Sequence, residues 1–465
     1  MWMRFAIQLM IDGGDTAGET QEIISFDRTD GALLIDELGL TLEEAKKALA
    51  ALQIAITDAQ VTDHSRRQRP CPCCLRPRQL KDKRTIAVRT CFGKLALPSP
   101  RYRCCRCQAV SGVVAPVVAA LPERVTPDLL ALEARWASLA AYGVTAALLA
   151  DVLPIDRAVN ASTIRNDAMR VAARLEAELG PEQAMFASGC QAEWNKMPIP
   201  GPPVTIGIDG GYVRSWTDRP TNFEVIVGKS VPEEGPARRF GFVAGHDEKP
   251  KRRLHELLID QGIAMNQEVT FMSDGACNLR DLQYYMRPNA EHVLDYFHIT
   301  MRITVLQQMA RGLPPPLSAA APAAVATLES VKHHLWHGNV GRALILVEDF
   351  TDGFDLIADP PPEVRKLRRY LLEFNRYIEN NADLIPNYAE RHRYGEVVST
   401  AFVESTVNQV IAKRFAKKQQ MQWTPRGVHL LMQLRTRVLD GTLDNDLKRW
   451  RTERRSSPNE AKMAA

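Results

Sequence analysis

Apolar and polar positions recur along this chain with two different periods, and the change from one to the other divides it. Helical spacing comes first: over Thr41–Ile56, Leu42, Ala45, Ala48 and Leu52 share one face. Thr85–Arg89 and Ala96–Arg103 then read as strands with Phe92-Gly93 at the turn. Pro127 to Leu179 is helical and rich in Ala and Leu. Within it, Thr145–Leu153 is followed by a break at Pro154 and by Asn160-Ala161-Ser162-Thr163 leading into Ile164–Leu175. Ser188–Pro203, with prolines crowded near its end, reads as a linker.

From Val204 the period shortens to that of strands. Val204, Ile206 and Ile208 alternate up to Asp209-Gly210-Gly211, and Tyr212–Trp216, Phe223–Lys229 and Arg239–Ala244 follow as short β segments. A helix fits Lys251–Gln261, a strand Val269–Met272, a helix Asn278–Met286 and a strand His292–Leu294. Three strands followed by helix, strand, helix, strand and helix form the element order of a ribonuclease-H-like mixed sheet. The chain then reads as mainly helical up to Tyr394, broken at Pro314–Pro316 and Pro360–Pro362. A last helix opens at Ser399, with Val403, Val407, Val410 and Ile411 as its buried stripe. The fold class predicted is an α/β core with a helical insertion, preceded by a small cysteine-bearing ribbon and a helix-turn-helix-like region. The divisions fall at 1–66, 67–112, 113–187, 188–203, 204–300, 301–395, 396–440 and a basic tail at 441–465.

Charge sharpens this outline. The formal net charge is only +4 over 465 residues, but residues 1–63 carry a net of −8 and residues 64–107 a net of +12. Residues 401–455 are basic again, with twelve Lys/Arg and five acids. Two cationic segments in a nearly neutral chain point to a polyanion touched in more than one place. No apolar run is long enough to span a bilayer and no signal-like start is visible, so a cytoplasmic protein with no membrane partner is expected. Nine cysteines in that compartment argue for metal or thiolate chemistry over disulfides.

Six of those cysteines fall in two groups, Cys71-Pro72-Cys73-Cys74 and Cys104-Cys105-Arg106-Cys107. Read as C-x-x-C knuckles, Cys71, Cys74, Cys104 and Cys107 complete a tetrahedral Zn²⁺ site, with Cys73 and Cys105 as competing ligands. A module this small depends on its metal to fold. In the helical hairpin, Ser162, Thr163, Arg165 and Asn166 occupy the first turn of the second helix, where polar side chains can reach base edges or phosphates. Ordinary helix capping accounts for the same residues without DNA.

In the sheet, Asp209 would end the first strand and Asp274 the fourth, as neighbours, so that both carboxylates project to one edge. Converging carboxylates suit Mg²⁺ (or Mn²⁺), a hard ion that keeps sites for water and phosphate. A pair of ions roughly 3.5–4 Å apart can activate an attacking oxygen and stabilise a leaving one. The third acid expected is Glu404, beside the buried stripe of the last helix, with Lys413, Arg414, Lys417 and Lys418 continuing as a cationic rail for phosphates. His333, His334 and His337 read as a helix end and not as ligands.

The segments IGIDGGYVR, FMSDGA, LDYFHITMR and VESTVNQVIAKRFAKKQQMQWTPRG resemble the Kra-type bacterial insertion-sequence transposases, DDE enzymes with a ribonuclease-H-like core. The likeness runs over roughly residues 67–440. It implies that Asp209, Asp274 and Glu404 bind the catalytic metal, and that Asp295 and His298 form a further signature orienting the site or its substrate. It implies cleavage at element ends to expose a 3′-hydroxyl, attack of that hydroxyl on target DNA, and a homo-oligomer assembled on double-stranded DNA at the terminal inverted repeats. A nuclease or resolvase that hydrolyses without joining uses the same metal site. A zinc-ribbon DNA-binding regulator whose acids are inactive or coincidental, or a degenerate copy that binds DNA without transposing, is the other alternative.

Overall fold

The computed structural model of the protein describes residues 2–13, 16–29, 35–107, 112–155, 159–180, 192, 196–198, 201–218, 220–264, 266–287, 290–416 and 422–456. They form two compact units, Met1–Val171 with Asp444–Ala465, and Ala172–Leu443.

The first unit begins with a feature that the sequence reading left unassigned. Strands β1 (Trp2–Gly13) and β2 (Thr16–Thr29) pair antiparallel as a long two-stranded hairpin. Helix α1 (Leu42–Gln68) follows, started by a capping box between Thr41 and Glu44. It outruns the expected Thr41–Ile56 because neither Gly nor Pro occurs from Leu42 to Arg69, and Pro70 comes just after it.

The expected ribbon strands lie within β3 (Leu80–Thr90) and β4 (Gly93–Arg103), an antiparallel pair extended by β5 (Val113–Val114). At the tip, Gly93 has φ +121°, and the Thr90 hydroxyl accepts from Phe92 N–H at 3.0 Å and donates to Gly93 O at 2.9 Å. Val61 of α1 packs with Val88, Leu95, Leu97 and Val117 to make the local core. Helices α2 (Pro116–Ala120), α3 (Pro127–Leu139), α4 (Tyr142–Val152) and α5 (Ala161–Glu178) complete the helical part. The boundary between the units falls inside α5.

The basic tail begins as a helix, numbered last in chain order, over Leu443–Ser456, which folds back into the first unit. It buries Leu447 and Trp450, and pairs Arg451 with Asp128 at 2.6 Å and Arg454 with Glu123 at 3.1 Å. Part of its cationic charge is therefore spent on its own fold.

The second unit is built on a mixed sheet of β6 (Val204–Arg214), β7 (Asn222–Pro232), β8 (Arg238–Val243), β9 (Val269–Ser273) and β10 (Glu291–Leu294). Its spatial order is β10-β9-β6-β7-β8; the first three in sequence are antiparallel, and β9 and β10 are added parallel on the other side of β6. Parallel neighbours need crossovers, which α6 (Pro250–Asp260) and α7 (Cys277–Met286) supply. Both agree with the helices expected there.

β6 does not stop at Asp209. It continues through both glycines to Arg214, with Gly210 opposite Ile226 and Gly211 opposite Val225. The glycines serve close packing, not a turn. After β10 come α8 (Tyr296–Arg311), α9 (Ala321–Trp336), α10 (Val340–Asp355), α11 (Pro362–Asn380) and α12 (Tyr388–Arg393), sharing a core that includes Leu306, Leu328, Val347, Leu371 and Phe374. His337 caps the end of α9 and packs on His333, as a plain helix end does.

The chain returns to the sheet as α13 (Ala401–Val407), a π-helix over Asn408–Ala416 and α14 (Pro425–Leu439). Gly207 receives α13: a Cβ there would lie 2.1 Å from Val403 Cγ2. At Gly211 a Cβ would lie 2.9 Å from Ile411 Cδ1 and 3.5 Å from Val407 Cγ1. Among the described residues, no helix is long and apolar enough to cross a membrane.

Candidate active site and metal centre

Strand geometry fixes the first two carboxylates. The parallel register between β6 and β9 ends with Gly207 opposite Met272, and two further residues along each strand bring Asp209 level with Asp274. Asp295 follows β10 directly, and its N–H donates to Ser273 O at 2.9 Å. Asp274 and Asp295 thus follow the ends of β9 and β10, while Asp209 lies within the neighbouring β6, close enough for both to act on its carboxyl. His298, in the first turn of α8, turns its Nε2 toward them, 3.9 Å from Asp209 Oδ1 and 3.6 Å from Asp295 Oδ2.

The aspartates are not equivalent. Asp295 is fully buried, and its carboxylate accepts from Phe297 N–H at 2.9 Å, from Thr400 N–H at 3.0 Å and from the Thr400 hydroxyl. These bonds cap α8 and tie the segment entering α13 to the end of β10, so Asp295 is a positioning residue. Asp209 and Asp274 are partly exposed. Burial pushes the Asp209 carboxyl up from its ordinary range, against the Gly210 N–H at 2.7 Å and His298, while Asp274 and Asp295 push it further up. A desolvated carboxylate among like charges favours a bound proton or a cation.

Residues that the sequence did not single out hold this edge in place. Tyr377 of α11 donates its hydroxyl to Asp274 O at 3.1 Å, and the Arg302 guanidinium lies over its ring at 4.1 Å. Gly275 has φ +86°, and a Cβ there would lie 2.3 Å from Asn381 Oδ1. The helical insertion therefore packs directly behind the Asp274 turn. Thr400 carried a weak signal, as a capping-type residue ahead of a helix; Tyr377 carried none.

Glu404 lies on α13, which covers the Gly207 and Gly211 positions and hence the face from which Asp209, between them, projects. Its side chain is exposed, and the carboxylate oxygens of Asp209, Asp274 and Glu404 do not all approach within 4.8 Å of one another.

The cationic rail needs correction. Lys413 is exposed, but Arg414 is 1% exposed, with its guanidinium over the Trp423 ring at 5.1 Å. The buried stripe is the physical reason: Arg414 follows Val407 by seven residues and Val410 by four, on the same face of the helix, and faces inward beside Phe415. Buried Arg435 donates to the carbonyls of Gln409 and Val410 in the π-helix, and burial lowers its pKa to about 10. Lys417 and Lys418 lie outside the described residues.

In the ribbon, Cys71, Cys74, Cys105 and Cys107 bring their sulfurs within 4.8 Å of one another, a group that could hold a metal such as zinc. Cys71 Sγ is 3.5 Å from Cys107 Sγ, and Cys74 Sγ is 3.4 Å from Cys105 Sγ. Cys105, not Cys104, joins the group; Cys104 N–H instead donates to Gly112 O at 3.0 Å. The first knuckle closes through Leu75, which adopts φ +57° and donates to Cys71 O at 2.9 Å. Backbone N–H groups of Cys74 and Cys73 pull the Cys71 thiol down to about 6, while hydrogen bonds to Cys105 and Cys71 hold the Cys107 thiol up. Four thiols this close cannot all lose their protons unless a cation compensates them.

In the helical hairpin, Ser162, Arg165 and Asn166 are exposed on the first turn of α5. Thr163 is half-buried, and its N–H donates to the Asn160 side chain at 3.0 Å. A second acid–histidine group, Glu176, Asp247 and His429, has spacing that would admit an ion. Arg253 fills it, with Nη2 3.1 Å from Glu176 Oε2, Nε 3.0 Å from Asp247 Oδ2 and Nη1 2.7 Å from Gln433 Oε1. The guanidinium is the resident cation. Arg253→Ala should lower the stability of the second unit by about 3–5 kcal/mol by stranding buried acids, measured by urea denaturation; a loss below ~1 kcal/mol would refute this role.

No protein-family model matches the chain, and no curated protein matches it.

Proposed function

We propose that the protein is a DNA strand-transfer enzyme of the insertion-sequence type, working through a ribonuclease-H-like core. The observation that carries this reading is the release of Asp209 and Asp274 side by side at the edge of a sheet ordered β10-β9-β6-β7-β8. Raised proton affinity at Asp209 marks a place where positive charge is wanted.

Asp209 and Asp274 would hold Mg²⁺ or Mn²⁺, with Glu404 completing the ligand set from α13. The metal supplies activation of an attacking oxygen and charge neutralisation on the phosphodiester. Asp295, through Thr400, sets where α13 enters, and so governs how Glu404 approaches. His298 orients Asp209, and as a donor it can stabilise an anionic oxygen at the same edge. The cysteine ribbon, holding Zn²⁺, and the exposed start of α5 would contact the double-stranded DNA of the element ends, with Lys413 beside the site for phosphates.

The test uses the purified protein, labelled DNA carrying the ends of its own element, a target duplex and Mg²⁺ or Mn²⁺. Metal-dependent nicking at the ends together with joined products is expected. Nicking without joining would replace the proposal by a nuclease of the same chemistry. End-specific binding by zinc-loaded protein with neither product would make it a regulator.

A further inference from the structure

The hairpin at the start of the chain leaves unanswered what covers its free edge. α1 approaches it from the β2 side, where Arg28 of β2 pairs with Glu44 of α1 at 2.6 Å and donates to Gly39 O at 2.7 Å. β1 has β2 as its one hydrogen-bonded strand neighbour among the described residues. Its outer edge therefore presents unpaired backbone groups over some ten residues.

Edge strands normally carry devices that stop another strand from adding. β1 carries few of them: its only charges are Arg4 and Asp12, it contains no Pro and no Lys, and both irregularities of the hairpin place their extra residue in β2. Its odd-numbered face is apolar, and Met3, Phe5 and Ile7 are 57%, 46% and 37% exposed. A two-stranded hairpin of this kind is marginal in water without further cover.

The sequence of β1 fits itself. Outward-facing backbone groups alternate along a strand, so β1 can pair with a second β1 only in registers that match odd positions with odd and even with even. One such antiparallel register, centred on Gln8, sets Arg4 opposite Asp12, Phe5 opposite Ile11, Ala6 opposite Met10 and Ile7 opposite Leu9. It alone brings the strand's single cation opposite its single acid, twice across a two-fold axis. Arg4 has Glu22 on its inner side at 3.3 Å, yet its side chain stays 54% exposed and free to meet a second carboxylate. Opposite charges across a pair stabilise it and like charges oppose it, which selects this register over its neighbours.

We infer that β1 is a homodimerisation strand: two copies of the chain join edge to edge through β1 in the Gln8-centred register, making a four-stranded antiparallel sheet whose two central strands share one apolar face. The contact needs no DNA and is independent of the reading of the catalytic edge.

The experiment is cysteine cross-linking of the full chain with light scattering. At the axis, two copies of residue 8 would have Cα atoms about 4.5–5.5 Å apart, within disulfide range. Gln8→Cys should therefore form a covalent dimer under mild oxidation. Met10→Cys, opposite Ala6, should not, and wild type sets the background from its native thiols. Before oxidation, all three should scatter as twice the chain mass of 52.0 kDa. Asp12→Arg should shift the wild-type dimer toward monomer at least tenfold in dissociation constant, with circular dichroism unchanged. A monomeric wild type would overturn the inference. So would equal cross-linking of the two cysteine variants, or a dimer indifferent to Asp12→Arg.

Discussion

Asp209→Ala and Asp274→Ala are each expected to reduce metal-dependent DNA cleavage by about a thousandfold or more, while binding to element ends persists. The magnitude follows from the chemistry: metal stabilisation of a phosphoryl transition state is worth several kcal/mol, and each 1.36 kcal/mol is about tenfold in rate. Retained binding is expected because both residues belong to the second unit, whereas the ribbon and the start of α5 belong to the first. Asp209→Asn adds a readout that a merely structural role would not give. Burial and the neighbouring aspartates raise the Asp209 pKa, so in metal-free protein its ionised form opposes folding. The sign is that of a raised carboxyl: its contribution is fully favourable below the unfolded pKa and is lost as pH rises through the folded one. Asp209→Asn should therefore stabilise the metal-free protein at neutral pH, abolish cleavage and flatten the pH dependence of stability. Cleavage surviving in either alanine variant, or a destabilised Asp209→Asn, would remove this edge as the active site.

The second large effect is expected at the ribbon. Purified protein should carry one Zn²⁺ per chain by elemental analysis, and its removal should open residues 69–114 to amide hydrogen exchange. Structural zinc in modules of this kind contributes on the order of 10 kcal/mol of apparent binding energy. The local core here is five small aliphatic side chains, Val61, Val88, Leu95, Leu97 and Val117, too few to replace it. Single substitutions decide the ligand set. Cys71→Ser, Cys74→Ser, Cys105→Ser and Cys107→Ser should each release the metal, whereas Cys104→Ser should leave it bound. Loss of zinc in Cys104→Ser with retention in Cys105→Ser would restore the simple C-x-x-C pairing.

That pairing shows where sequence reasoning stops. Spacing identifies the six thiols and their two groups, but adjacent cysteines point in different directions and only the local backbone chooses between Cys104 and Cys105. The strands and helices from Val204 to His298 were legible because their periods are clear and Asp274 and Asp295 follow strand ends. Asp209 misled in one respect: Asp-Gly-Gly looks like a strand end, yet the strand continues, and Gly211 makes room for Val407 and Ile411. The hairpin at the start is legible in principle, since Phe5, Ile7, Leu9 and Ile11 alternate ahead of Gly13-Gly14, although its acidic composition carries no strand signal. Arg414 falls on the same helical face as Val407, Val410 and Ile411, so its burial was legible in the stripe, and its charge alone suggested a rail. Tyr377 and Thr400 act through contacts made across about a hundred residues, beyond any local pattern.

The wide turn after Glu404 also bears on how this chain tolerates insertion and deletion. A π-helical segment holds one more residue than an α-helix of equal rise, so the chain over Asn408–Ala416 has, in effect, a residue to spare. Deleting Ala412 would let the segment relax toward α-helix without shortening its span, swing Lys413 and Arg414 by about 100° around the axis, and remove the acceptor geometry that Arg435 meets at Gln409 and Val410. Glu404, upstream of the change, would keep its seat over β6. Helix length and site geometry are uncoupled at this turn, and lengthening by one residue is the edit that the same segment is least able to absorb.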